Sequence, residues 1–137
     1  MVKIFFVFIL IILSIISKAQ KIGNSKIIVQ VSDTTNLYKR VKFAFIKLDF
    51  IVKDLETDTL KTYAREFMDN NYLIATAIIK GYTVTITGIW GSRKLNLLGY
   101  SNSLRDYKSV IYYKGCVEWN LLRLVGKDIG GELSFED

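Results

Sequence analysis

The sequence predicts a small α+β domain, because one long hairpin pattern is flanked by two stretches with helical periodicity. The hairpin covers Tyr72 to Trp90, where Lys80-Gly81 is a two-residue turn signal between two extended runs. In the second run Thr83, Thr85 and Thr87 alternate with apolar residues. The first run is apolar on both sides, which predicts a strand near the middle of a sheet, paired to one nearer its edge.

The segment 1–19 has the three parts of a secretory signal peptide. Met1-Val2-Lys3 is a basic start, Ile4 to Ile16 is apolar apart from Ser14, and small residues up to Ala19 precede Gln20. Thirteen helical residues reach about 20 Å, short of the roughly 30 Å hydrocarbon core. We therefore predict cleavage between Ala19 and Gln20 and a periplasmic or secreted product, with an uncleaved membrane anchor as the alternative.

Gln20 also stands where a bacterial lipoprotein signal would place its cysteine, and the one cysteine of the chain is Cys116. A lone cysteine closes no disulfide within the chain, so Cys116 is predicted to be a small buried hydrophobe, with pairing between chains as the alternative. Removal of 1–19 leaves a single domain over 20–137. Its net charge falls from +6 to +4 with the loss of Lys3 and Lys18. A mildly positive charge of this size favours solubility and does not indicate nucleic-acid binding.

The strands are predicted to form an antiparallel meander between the two helices. Strand patterns cover 26–31, 50–55, 59–67, the two halves of the hairpin, 110–113 and a short closing run at 132–135. The order of elements is therefore β-α-β-β-β-β-(β)-α-(β), with a sheet of about five to six strands.

Each helix is predicted from an apolar stripe. The first follows candidate N-cap residues at 32–35 and carries Leu37, Val41, Ala44, Phe45 and Leu48. The second, about 117–129, carries Val117, Leu121, Leu124 and Val125, widened by Leu122 and Ile129, and ends at Gly130-Gly131. Phe43 and Ile46 lie roughly opposite the stripe of the first helix, so we expect a neighbouring helix to cover them, with a partner protein as the alternative cover.

The best candidate for a binding site is the long irregular stretch from Gly91 to Ser109, which begins next to Trp90. Its candidate ligand-binding residues are Trp90, Arg93, Lys94, Tyr100, Arg105, Tyr107 and Lys108, to which Phe43 and Ile46 are added as possible partner contacts. Cations and rings in this combination are suited to an anionic or sugar-bearing ligand. The alternative is a solvated loop whose aromatic side chains pack against the sheet.

Catalytic and metal signals are weak. The sequence has no histidine, so Cys116 has no imidazole to activate it and zinc lacks its commonest ligand. Asp54, Glu56 and Asp58 alternate but lack the loop spacing of a calcium site. No pair of acids is singled out for hydrolysis. The hydroxyls of Thr83, Thr85 and Thr87 are typical of a solvent-facing strand, and the alternative is a flat row of hydroxyls that binds a surface or a glycan.

The order of elements, the Leu37-Tyr38-Lys39-Arg40 start of the first helix and the Trp119-bearing last helix resemble small exported proteins of Gram-negative bacteria with a TATA-box-binding-protein-like fold. The resemblance covers nearly all of the chain after residue 19. It implies a curved antiparallel sheet with two helices on one face. It carries over no catalytic residue, and a fold name is no argument for DNA binding.

These observations lead to a functional hypothesis: an exported non-enzymatic domain, without a cofactor, that binds an envelope protein or glycan. The alternative is a carboxylate-based hydrolase of an envelope substrate. Nucleic-acid binding is not expected, because it would require Lys and Arg gathered on one face of the sheet in an exported protein. The oligomeric state stays open.

Overall fold

The computed structural model describes residues 19–54, 57–92, 95–96, 99–100 and 107–137, and the predicted signal peptide lies outside them except for Ala19. Two helices and ten strands occupy the described part of the chain. They are β1 (Lys26–Gln30), α1 (Leu37–Lys47), β2 (Val52–Asp54), β3 (Thr59–Thr62), β4 (Arg65–Met68), β5 (Asn71–Lys80), β6 (Thr83–Ser92), β7 (Leu95–Asn96), β8 (Gly99–Tyr100), β9 (Lys108–Ser109), α2 (Val117–Ile129) and β10 (Glu132–Glu136).

The predicted α+β class is confirmed: the main sheet is antiparallel and the helices form a second layer. Its strand order is β10-β1-β6-β5-β3-β2, with β4 added to β5 and β9 added to β6, while β7 and β8 pair separately. The sheet therefore has eight strands in the described part, more than the five or six predicted. The two additions are short pieces that sequence patterning does not resolve.

The predicted hairpin is the centre of the sheet. Strands β5 and β6 pair over their whole length, from Asn71 opposite Ser92 to Lys80 opposite Thr83, and Gly81 takes the positive φ of the turn. The prediction that β6 lies nearer an edge is wrong, because β1 pairs along its other side. Its threonines alternate with apolar residues because one face of the sheet is open, not because the strand is near an edge.

The core lies between the inner sheet face and the helices. Ile27 and Val29 of β1, opposite Ile86 and Val84 of β6, are fully buried there. Helix α1 adds its predicted stripe of Leu37, Val41, Ala44 and Phe45, with Leu48 partly buried against the core. This apolar surface, removed from water, is the main stabilising contribution to the fold.

Helix α2 lies very close to the sheet, and glycines permit this approach. A Cβ built on Gly88 of β6 would meet Leu122 Cδ1 at 2.8 Å, and one on Gly126 of α2 would meet Leu133 Cδ2 at 3.1 Å. The buried side of α2 consists of Glu118, Trp119, Leu122, Val125, Gly126 and Ile129. The predicted stripe was thus partly wrong: Val117 and Leu124 are exposed. The predicted stop at Gly130-Gly131 is confirmed, and both glycines have positive φ.

The start of α1 also differs from the prediction. The residue before the helix is Asn36, at φ 53°, and it makes no side-chain cap; none of the residues 32–35 is the N-cap. The Asp33 carboxylate instead accepts the Thr35 backbone N–H. Arg40 joins the helices, since its guanidinium donates to the backbone oxygens of Asp33 and Ile129, each at 2.8 Å.

The predicted strand 59–67 is broken into β3 and β4, which both pair with β5, and the predicted strand 50–55 shortens to β2. At the break the buried Thr62 hydroxyl accepts the Ala75 backbone N–H at 2.9 Å. Tyr63, just beyond, donates its own N–H to the Ile51 carbonyl. The Thr62 hydroxyl therefore takes the place of a backbone carbonyl as the acceptor for β5. The chain can leave the sheet at this point without an unsatisfied N–H on β5.

The stretch after the hairpin is more regular than predicted. Strand β6 continues to Ser92, β7 pairs with β8, and β9 pairs with β6. The predicted strand 110–113 is wrong as a regular strand, although the Val110 N–H still donates to the Gly88 carbonyl and the Tyr112 N–H to the Asn24 carbonyl. These bonds hold residues 110–112 beside β6 and beside the segment that precedes β1.

Candidate functional site

Two large apolar side chains stand on the outer side of α1. Phe43 is 68% exposed and Ile46 is 46% exposed. The expectation that a neighbouring helix covers them is wrong, because α2 packs against the inner part of α1 and leaves this side to solvent. A third apolar side chain, Ile51, is 70% exposed just after the helix. Phe43 and Ile46 are three residues apart and therefore neighbours on the helix surface, and adjacent exposed apolar side chains of this kind are candidates for an interaction surface.

The charged side chains that α1 itself contributes around Phe43 and Ile46 are all basic, whereas exposed Asp49 follows the helix and Asp128 of α2 lies beside Lys47. The sequence of α1, LYKRVKFAFIK, contains four basic residues and no acidic one. At helical spacing Lys39 and Lys47 are four residues on either side of Phe43, and Lys42 is four residues before Ile46. The Lys47 ammonium lies 3.1 Å from the Asp128 carboxylate of α2. We call the set Lys39, Lys42, Phe43, Ile46 and Lys47 the outer face of α1; it is apolar in the middle and basic around it.

The second group of predicted site residues lies where β6 meets β9. Trp90 pairs with Lys108, and a Cβ built on Gly91 would lie 3.3 Å from Tyr107 Cδ1, so the Tyr107 ring covers Gly91. Trp90 is partly buried against the core and Lys108 is exposed. Both described aromatic side chains therefore pack on the sheet, as the solvated-loop alternative predicted.

The remaining predicted loop residues lie outside the described part of the chain. They are Arg93, Lys94 and Arg105, together with the side chain of Tyr100, whose backbone belongs to β8. Their role in an anion or sugar site stays a prediction.

The structure separates the predicted site residues into two groups. Phe43 and Ile46 stand on α1, which packs on α2 and β2, whereas Trp90, Tyr107 and Lys108 stand on and beside the β6–β9 pair. Of the two, the outer face of α1 carries the larger exposed apolar surface.

The environment of Cys116 keeps its thiol protonated. The side chain is buried, and burial, with a hydrogen bond to the Glu118 carboxylate, raises the pKa of the Cys116 thiol to about 11. Its S–H donates to the Ile111 carbonyl at 3.5 Å. The Tyr113 hydroxyl donates to Glu118 Oε1 at 3.4 Å, and the negative charge of Glu118 raises the Tyr113 pKa. The predicted buried hydrophobe is confirmed, and a protonated thiol is a poor nucleophile.

The sequence prediction did not single out Glu118. Its spacing was a usable signal, because Glu118 stands four residues before Leu122 and seven before Val125, which places it on the buried side of α2. The nearby Trp119 indole donates to Gln20 Oε1 at 2.6 Å. Gln20, the first residue of the predicted mature chain, is thus hydrogen-bonded to helix α2.

Among the described residues, no group of three or more Cys, Asp or Glu side chains is arranged to hold a metal ion. The side chain of Asp54 and all of Glu56 lie outside that part, and Asp58 accepts the Thr59 hydroxyl. No described helix is both long enough and apolar enough to span a bilayer.

Comparison with protein-family models, with curated proteins and with solved structures gives no match for this chain. The resemblance to TATA-box-binding-protein-like exported domains therefore stays a prediction, as does the carboxylate hydrolase.

Proposed function

We propose that the chain is an exported, non-enzymatic domain that binds an acidic protein of the cell envelope through the outer face of α1. The observation that carries this function is the exposure of Phe43 and Ile46 within a ring of lysines on a helix that lacks acids. Export is the part that rests on the sequence of residues 1–19 alone.

The chemistry of the outer face favours a protein over a glycan. A buried Phe or Ile side chain contributes about 1.5–3 kcal/mol when it leaves water, and an aromatic anchor is typical of a protein–protein hot spot. The surrounding lysines would steer an acidic partner toward the face and exclude a basic one.

The first test is capture from envelope extracts by the protein and by its double variant Phe43→Ser, Ile46→Ser. We expect the variant to bind roughly 10 to 100 times more weakly at unchanged thermal stability, since both side chains are exposed in the free protein. The matched control is Ile111→Ser, an exposed apolar residue on a different element, which should bind as well as the parent.

Two further readouts identify the partner's class. Binding to an acidic protein should weaken as salt rises and should be abolished by protease treatment of the extract. Equal capture by the parent and the Phe43, Ile46 variant, or capture that survives protease but not glycosidase treatment, would contradict the proposal.

A further inference from the structure

The segment that follows the predicted cleavage site is hydrogen-bonded to the body of the domain. The Gly23 backbone N–H donates to the Tyr112 carbonyl at 3.0 Å, and the Tyr112 N–H donates to the Asn24 carbonyl at 2.8 Å. The buried Asn24 side chain accepts the Lys21 N–H at 2.7 Å and donates to the Asp137 carboxylate at 2.9 Å. The fold therefore sets the position of the residue that comes before this segment.

That residue, Gln20, is half-buried, whereas Ala19 on the other side of the predicted cleavage site is exposed. The side-chain carbonyl oxygen of Gln20, Oε1, accepts the Trp119 indole N–H at 2.6 Å. Trp119 is fully buried and packs on two other rings, with centroid distances of 5.7 Å to Tyr112 and 5.9 Å to Phe135. A buried indole N–H needs an acceptor, so this bond ties the Gln20 side chain to the core.

The side-chain nitrogen of Gln20 is not held in the same way. Among the described residues, the Gln20 side chain makes its hydrogen bond through Oε1, and Nε2 takes no part in it. Donation to Oε1 draws electron density from the carbonyl carbon Cδ, which makes that carbon more open to attack by an amine. The amide thus combines an activated carbon with a nitrogen that is free to leave.

We propose that Gln20 is a modification site: once the Ala19–Gln20 bond is cut, its side chain closes on its own α-amino group to give an N-terminal pyroglutamate, assisted by Trp119. The inference rests on the export that is part of the proposed function. In the reaction the α-nitrogen attacks Cδ and a five-membered lactam forms. The Cδ–Nε2 bond breaks, and Nε2 leaves as ammonia with the proton that the α-nitrogen loses, so no oxidant or second reactant is consumed.

Trp119 is placed to assist this closure. Negative charge develops on Oε1 as the α-nitrogen adds to Cδ, and the Trp119 N–H already lies against that oxygen. A donor fixed where charge develops lowers the barrier of acyl transfer. The lactam keeps the same oxygen as its carbonyl, so the bond to Trp119 is present before and after closure.

Closure also removes a charge from the start of the mature chain. A free α-amino group is largely protonated at neutral pH. On a half-buried residue beside the packed rings of Trp119, Tyr112 and Phe135, that ammonium would lose part of its hydration, which is unfavourable. The lactam is neutral and leaves no terminal amine for an aminopeptidase to engage.

The test follows the N-terminus of the protein after full-length expression in a host that exports it. Mass spectrometry of the N-terminal peptide, at successive times after a pulse of synthesis, gives the fraction of chains that start at Gln20 and are lighter by one ammonia. We expect complete conversion in the parent and conversion at least about 10-fold slower in Trp119→Phe, which lacks the donor. The matched control, Trp90→Phe, changes the other tryptophan of the chain, which lies on β6 beside β9, and should convert as fast as the parent.

A second measurement does not depend on the folding of the Trp119 variant. Newly exported parent protein is divided between native buffer and denaturant, and open chains should close at least about 10-fold faster in native buffer, because only the folded state holds the indole against Oε1. Equal rates in the two solutions, or in the parent and Trp119→Phe, would overturn the proposal. Mature chains that start with an open Gln20 and stay open would overturn it and leave export intact, whereas a product that still carries residues 1–19 would overturn both.

Discussion

At the scale of single residues, the protein contains a buried thiol that is shielded rather than activated. Burial of Cys116 disfavours the charged thiolate, and the nearby Glu118 carboxylate, which disfavours a second negative charge, adds to the effect. A cysteine used for chemistry would show the opposite: exposure and a cationic neighbour. The residue therefore contributes to packing at the start of α2.

This environment predicts a pH dependence of stability. The Cys116 pKa is raised from 9.0 to about 11 by folding, so the unfolded thiol ionises first as pH increases. Its contribution to the free energy of unfolding is complete below about pH 9 and is lost progressively between about pH 9 and 11. Denaturant unfolding between pH 8 and 10.5 should show this decline in the parent and a smaller decline in Cys116→Ala. Equal slopes in the two proteins would contradict it.

At the scale of elements, the break between β3 and β4 shows how one side chain fixes the course of a strand. The Thr62 hydroxyl satisfies a buried backbone N–H that would otherwise require a neighbouring strand. The two short strands then occupy successive parts of the same side of β5.

Replacement of Thr62 by Val should cost about 1–3 kcal/mol of unfolding free energy, because the Ala75 N–H is left buried without its acceptor. Chemical denaturation provides the measurement. Thr62→Ser is the matched control: it keeps the hydroxyl and should retain most of the stability. A Val variant that is as stable as the Ser variant would show that the hydrogen bond does not support the break.

Periodicity predicted the hairpin, the inner side of α1 and the end of α2, because each depends on local spacing or on glycine. It failed for the inner side of α2. On that side Gly126 packs closely against Ile27 and Val29 of β1. This contact joins segments that are far apart in sequence, so local spacing does not reveal it. Periodicity also could not predict the exposure of Phe43. An apolar pattern identifies an apolar side of a helix but does not show whether another element covers it.

At the scale of the whole molecule, the two layers leave two different surfaces on opposite sides. The helix layer presents the basic and apolar outer face of α1, and the sheet layer presents the threonines and isoleucines that alternate with the core residues of β5 and β6. The sheet is thus the scaffold on which α1 is held, and the outer face of α1 is the proposed binding surface.

The most direct test of the proposed binding surface is photo-crosslinking in the producing cell, with a photoreactive amino acid placed at Phe43 or at the exposed turn residue Lys114. We predict that position 43 crosslinks to an acidic envelope protein and that position 114 does not give this product. The same products from positions 43 and 114, or no crosslinked protein from position 43, would contradict the proposed binding surface.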